Sequence, residues 1–326
     1  MTTSTQLKTW GGSGAGGSQP TGRDKLNLGR IIVPLDGSPE AEVALPYAIM
    51  MASWWNSELL LIHVIKTIRN VEDLRADSIH YPGMHHDRGQ RLASSYLQEV
   101  SKKLQRQPIR NVRWSVTTGD VYKSIITRTV ANRAGMLVFK LEHQPNIRLL
   151  PAKELWNLAT VPFLVVNSNT LKRAGDLPQP PNAITLAVSH KNSLSRVMPH
   201  VREILPACDI TRATIIYPIR RVRRVNLGPS IPPIEGVELE QAVASLEAQR
   251  IGVSVVFTSS PTRAVAAHQR QNPRTWHITS LPARSRLGRR SELAHKLVAH
   301  GLNPTLVVPH RTELDKSAPA ASQRER

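Results

Sequence analysis

The sequence predicts an α/β chain built from two tandem doubly wound domains, each a five-stranded parallel sheet flanked by helices. Three observations carry this. Short apolar runs rich in Val, Ile and Leu alternate with longer mixed segments, as strands and helices do in βαβ units. The alternation runs through the chain twice. The two passes also end alike: Thr160-Val161-Pro162-Phe163-Leu164-Val165-Val166 matches Leu302-Asn303-Pro304-Thr305-Leu306-Val307-Val308. A repeat of about 140 residues marks two similar domains rather than a solenoid.

The first pass opens at Arg30–Leu35, an apolar run that stops at Asp36-Gly37-Ser38. A helix is predicted at once over Glu40–Trp55, then a strand over Glu58–Ile65. A long connection runs from Lys66 to Asp87. Helix Arg88–Gln105, strand Val112–Thr117 and helix Val121–Ala134 follow, then strand Met136–Phe139, helix Ala152–Leu158 and strand Phe163–Asn167. The second pass has strand Ala183–Val188, helix Leu194–Leu205 and strand Ala213–Ile219. After a connection from Arg220 to Gly236 come helix Val237–Gln249, strand Val253–Thr258 and helix Thr262–Gln271. Strand Thr275–Ile278, helix Ser291–His300 and strand Thr305–Val308 close it.

The domains are thus residues 28–168 and 183–310, joined by a linker over 169–182 that Pro178, Pro180 and Pro181 stiffen. Residues 1–27 are Gly/Ser-rich and are expected to be disordered, as is the tail over 311–326. No apolar run approaches the ~20 residues that span a bilayer. With no hydrophobic leader near Met1, the expectation is a cytoplasmic protein. Cys208 is the single cysteine, which excludes an intramolecular disulfide and a cysteine metal cage. The net charge is +19, and +11 of it falls between residues 171 and 310. Such a balance favours anionic partners.

The first half resembles the universal stress protein family. The residues that carry the resemblance are Ile31-Ile32-Val33-Pro34-Leu35-Asp36-Gly37-Ser38, then Leu59-Leu60-Leu61-Ile62-His63-Val64, Gly119-Asp120 and Val161-Pro162-Phe163-Leu164-Val165-Val166. The second half looks like a diverged copy. The resemblance implies a five-stranded parallel sheet and pairing of domains through their last strands, here Phe163–Asn167 with Thr305–Pro309. A homodimer beyond that internal pair stays open. It also implies a stress-response role, with ATP binding in many members and not in others.

In members that bind nucleotide, the acid after the first strand contacts adenosine, and Asp36 matches it. Gly37 and Ser38 complete that turn, and backbone near Val64 lines the same pocket. The phosphates are held by Gly-x-x-Gly, nine residues, then Gly-Ser or Gly-Thr, because glycine lets backbone N–H groups approach oxygen. Here Lys140 and His143 stand at the paired glycines and, aligned on the closing strand with five residues between them and not nine, Leu149-Leu150 falls at the final pair. Lys140, His143 and Arg148 could supply positive charge instead. In the second copy Ser189 stands where Asp36 does, and Ile278, Leu281 and Ser291 fall at the glycine positions. Arg284, Arg286, Arg289 and Arg290 precede Ser291 and form a candidate anion site before a helix.

Other constellations are weaker. His80, His85, His86 and Asp87 lie in a Gly/Pro-bearing connection without paired helical spacing, so no metal site is assigned. Arg220-Arg221-Val222-Arg223-Arg224 could follow a phosphate backbone or an acidic membrane surface. No catalytic set is found: Ser38 has no histidine near it in sequence and no nucleophile elbow. The sequence therefore predicts a non-catalytic stress-response regulatory or scaffold protein with a degenerate nucleotide site and no required cofactor, acting on an unidentified protein or anionic ligand. Two alternatives stand beside it. One is an ATP-binding sensor using Asp36 and the rebuilt basic site. The other is a polyanion binder, for nucleic acid or a membrane surface, working through the basic second half.

Overall fold

In the computed structural model the structure describes residues 7–9, 28–66, 82–141, 160–167, 170, 180–188, 193–219, 237–281 and 292–309. The chain divides into two units, residues 27–164 and residues 165–326 with 1–26.

The first unit starts with strand β2, Arg30–Pro34; the label β1 belongs to Leu7–Thr9, placed in the other unit. Helices α1, Pro39–Glu42, and α2, Leu45–Trp55, follow. One helix is expected here and two are found, because Pro46 has no N–H to donate and its ring crowds the preceding turn. Asn56 takes a left-handed conformation, φ 50°, and its N–H caps Ala52 O. Strand β3, Glu58–Lys66, leads to helix α3, Pro82–Leu104. That helix begins six residues before the expected start at Arg88. Proline at a helix start costs no hydrogen bond, so Pro82 opens the helix instead of breaking it. His85 and His86 therefore lie on its first turns, and His80 lies outside the described residues.

Strand β4, Asn111–Gly119, helix α4, Val121–Ala131, strand β5, Met136–Leu141, and strand β6, Phe163–Asn167, complete this set. The Asp120 side chain caps α4 by accepting from Lys123 N at 3.0 Å. Strand order is β6-β5-β2-β3-β4, and β2 runs parallel to both neighbours. The core lies on the central strands: Ile31, Ile32, Val33, Leu59, Leu61 and Ile62 are wholly buried. Continuous apolar runs are what a sheet covered on both faces requires.

The second unit repeats the plan. Its elements are β7, Ala183–Ala187; α5, Ser193–Ile204, with a 3-10 turn over Leu205–Ala207; β8, Arg212–Pro218; and α6, Val237–Glu247. Then come β9, Gly252–Thr258; α7, Pro261–Gln271; β10, Thr275–Ser280; α8, Glu292–His300; and β11, Thr305–Val308. The order is β9-β8-β7-β10-β11, parallel throughout. One strand was not foreseen. Leu7–Thr9, inside the stretch expected to be disordered, pairs antiparallel with β9, Leu7 opposite Val256 and Thr9 opposite Ser254. An edge strand offers unpaired N–H and C=O groups, and three residues suffice to occupy part of that ladder. Among the described residues no helix is long and apolar enough to cross a membrane.

Candidate functional site

In both units the strand that opens the repeat lies between the second and the fourth, so the sheet order reverses beside it. Open α/β sheets bind ligands in the crevice at that reversal, outside the carboxyl ends of the strands. In the first unit the crevice lies past the ends of β2 and β5. Asp36 follows β2, and Lys140 lies near the end of β5. Val64 lies near the end of β3 on the other side of β2. Topology thus gathers Asp36, Val64 and Lys140 at one sheet end. His143, Arg148, Leu149 and Leu150 lie outside the described residues.

The turn at Asp36 is locally fixed. Leu35 N donates to Ile62 O at 2.8 Å, holding β2 to β3 up to its last buried residue. Ser38 then donates twice to Asp36 Oδ1, from N at 2.9 Å and from Oγ at 2.6 Å. Gly37 takes φ 88°, a region open to glycine at little cost. Ser38 Oγ also accepts from Ala41 N at 3.1 Å and caps α1. Ser38 is thereby assigned to the turn, while Asp36 stays exposed.

Behind Asp36 stands His63, on β3. Its Nδ1 is buried with no hydrogen-bond partner. Burial lowers its pKa, and the negative charge of Asp36 opposes that shift. Tyr96 of α3 meets the imidazole edge-on, ring centroids 6.5 Å apart. Burial raises the Tyr96 pKa, with the charge of Glu42 adding to it. The site therefore combines an exposed carboxylate, an imidazole whose Nδ1 has no hydrogen-bond partner among the described residues, a phenol and a lysine. Glu42, His63 and Tyr96 were not singled out for it by sequence. His63 reads as a core residue on an apolar strand, and Tyr96 belongs to a helix remote in sequence.

The second unit differs at the same place. Hydrogen bonds fix the equivalence: Leu137 N donates to Pro162 O and His277 N donates to Pro304 O. Leu137 pairs with Ile32 as His277 pairs with Thr185. Counting on three residues, Lys140 corresponds to Ser280. This corrects the sequence alignment, which put Ile278 there. Ser280 is wholly buried and its Oγ lies 2.7 Å from Ser193 Oγ at the start of α5. Beside it, Thr279 Oγ1 donates to Ala187 O at 2.9 Å. The crevice end of this unit is crossed by its own side-chain hydrogen bonds. Ser189, Arg284, Arg286, Arg289, Arg290 and Ser291 lie outside the described residues, as does the run over 220–224.

A second feature escaped the sequence reading. Thr305, His277, Thr185, Thr214 and Ser254 lie in one register row across the sheet. His268 of α7 joins part of this row: its Nδ1 lies 3.1 Å from Thr185 Oγ1 and its Nε2 3.2 Å from Thr214 Oγ1. Thr214 Oγ1 in turn lies 3.1 Å from Ser254 Oγ. Burial, then the charge of Arg212, lowers the His268 pKa. The corresponding row of the first unit contains Leu137, Ile32 and Leu60.

Among the described residues, no group of three His, Cys, Asp or Glu side chains could hold a metal ion.

With this geometry in hand, comparison with known proteins gives three results. Residues 27–149 match the model of the universal stress protein family. A universal stress protein from Archaeoglobus fulgidus DSM 4304 superposes with a TM-score of 0.64 at 12% identity, over 87% of this chain and 99% of that one. A protein of unknown function from Pseudomonas aeruginosa PAO1 superposes with a TM-score of 0.57 at 15% identity, over 87% of this chain and 93% of that one. These likenesses show the fold. Among curated proteins no sequence matches the chain.

Proposed function

We propose, for a chain whose residues 27–149 form a universal stress protein domain, a non-catalytic regulatory role in the stress response. It acts through protein contacts or an anionic ligand and does not turn nucleotide over. The observation that carries this reading is the Ser193–Ser280 contact with the Thr279–Ala187 bond. A ligand entering the second crevice would have to break hydrogen bonds that the protein already makes. In the first unit, Asp36 keeps the adenosine end of the family site, and Leu149-Leu150 replaces the glycines of its phosphate end.

A second reading, a nucleotide-binding sensor, draws on one observation: the partnerless His63 Nδ1 behind exposed Asp36. In that reading Asp36 and Val64 hold the nucleoside, and Lys140, His143 and Arg148 hold the phosphates. Titration calorimetry of the full chain with ATP and Mg²⁺ separates the two. The regulatory reading expects that any heat seen at millimolar ATP persists unchanged in Asp36→Ala. Micromolar binding that Asp36→Ala abolishes would overturn it and establish the sensor.

A further inference from the structure

At the opposite end of the first unit's strands lies a second concavity, and we propose that it binds a small polyanion carrying two or more phosphate groups. The cavity measures about 340 Å³ and is lined by Gly29, Arg30, Glu58, Arg110, Asn111, Arg113, Asn132 and Arg133. Four guanidiniums and one carboxylate give it a net charge of +3. Among the described residues no aliphatic or aromatic side chain lines it.

Its construction follows from the strand starts. Arg30, Glu58 and Asn111 are the first residues of β2, β3 and β4, and they lie in one register row. Glu58 is nearly buried and holds two arginines at once. Its Oε2 accepts from Arg30 Nε at 3.1 Å and Nη2 at 2.7 Å, and its Oε1 lies 2.7 Å from Arg113 Nε. Arg30 Nη1 donates to Asn132 O at 2.6 Å. The carboxylate and the carbonyl thus fix the plane of Arg30, and the Arg113 side chain stays largely exposed beside it.

Arg110 and Arg133 are exposed, and their guanidiniums make no hydrogen bond or ion pair among the described residues. Arg133 has φ 48°, a left-handed conformation that costs a residue with a side chain. It is held there by its own N–H to Val130 O, at 3.0 Å, and by Ala134 N to Thr129 O, at 3.0 Å.

Glu58 is already shared by Arg30 and Arg113, so the charges of Arg110 and Arg133 have no counter-ion in the site, and a bound anion would supply one. The guanidinium fork matches phosphate oxygens two at a time. A net charge of +3 exceeds what one phosphate neutralises. The volume lies at the small end of the ~300–1,000 Å³ typical of ligand sites, whose walls are mostly apolar, unlike these. Together these features select a compact polyphosphorylated ligand. The second unit does not repeat the site: the register position of Glu58 holds Arg212, and that of Arg30 holds Ala183.

The test is titration of the full chain with pyrophosphate, and separately with inorganic phosphate, at fixed ionic strength. Pyrophosphate is expected to bind at least tenfold more tightly than phosphate. Arg110→Gln with Arg133→Gly is expected to weaken pyrophosphate binding at least tenfold. Glycine accepts the left-handed backbone at 133, so loss of binding there reports the guanidinium and not misfolding. Lys140→Gln, at the other sheet end, is expected to leave pyrophosphate binding unchanged. Absence of binding at millimolar pyrophosphate overturns the proposal. So does equal affinity for the two anions, or binding that the double variant leaves intact, which would place it elsewhere on a strongly basic chain. Loss with Lys140→Gln alone would assign the phosphates to the crevice and overturn the proposal.

Discussion

The sharpest stability prediction concerns His200. It lies on α5, 2% exposed, and its Nδ1 has no hydrogen-bond partner. Burial pushes its pKa down from 6.5 to about 4. The folded second unit therefore keeps this imidazole neutral where the unfolded chain would protonate it. Below pH 6.5 the unfolded state binds one more proton, so stability falls as pH falls, until the folded form also protonates near pH 4. Across that window the loss is ~3 kcal/mol, at about 1.4 kcal/mol per pH unit.

The perturbation is His200→Leu, close in volume and without the orphan nitrogen. At pH 7 the substitution is expected to change stability by less than ~1.5 kcal/mol, as volume-conserving core swaps do. Urea unfolding of both proteins at half-unit steps from pH 7 to pH 4 reads the effect as a difference, which cancels the other titrating groups. Wild type is expected to lose ~3 kcal/mol more than the variant over that range. Parallel profiles would refute the reasoning. So would an NMR titration that places the His200 ring near 6.5.

Two further outcomes follow from local geometry. A Cβ on Gly301 would stand 2.2 Å from Leu297 O, the carbonyl that its own N–H already caps at 2.8 Å. Gly301→Ala must therefore displace the end of α8, and it is expected to lower stability by ~1–3 kcal/mol in denaturant unfolding; an unchanged midpoint would contradict the contact. Cys208 has its thiol pKa pushed up to about 12, by burial first and then by the charge of Asp209. At pH 8 only about one molecule in ten thousand carries the thiolate, so labelling by a disulfide reagent should be far slower than for a free thiol and accelerate in urea; equal rates in both would count against it.

Much of the fold was legible because the central strands are continuous apolar runs, and only a sheet covered on both faces needs Ile31-Ile32-Val33 and Leu59-Leu60-Leu61-Ile62 in that form. The two proline-marked helix starts were misread in opposite ways. The expected helix Glu40–Trp55 runs straight through Pro46, where a second helix begins, and the expected connection to Asp87 includes Pro82, where α3 opens; in each case the missing N–H goes unused at a helix start. Leu7–Thr9 escaped because a three-residue strand has too little periodicity to register, and its partner strand is remote in sequence. The site was legible where it lies on a strand-to-turn junction, at Asp36. It was illegible at Ser280, because the glycine spacing puts Ile278 opposite Lys140 and the sequence alone does not show strand register. Backbone pairing through Pro162 and Pro304 does.

The polar row of the second unit bears on why its crevice changed. At the register positions where the first unit has Ile32 and Leu137, the second has Thr185 and His277. A hydroxyl or imidazole buried in a sheet must find partners, since each one left unsatisfied costs ~1–3 kcal/mol. Thr185 and Thr214 use His268, and Thr279 uses the Ala187 carbonyl. Once these groups are buried, the bonds around them are costly to break, and the Ser193–Ser280 contact at the crevice belongs to the same economy. A ligand there would compete with these hydrogen bonds. In the first unit the corresponding row, Leu137, Ile32 and Leu60, is apolar and needs no such bonds. The asymmetry between the two copies is therefore a difference in what holds each sheet together, and ligand chemistry is expected to concentrate in residues 27–164.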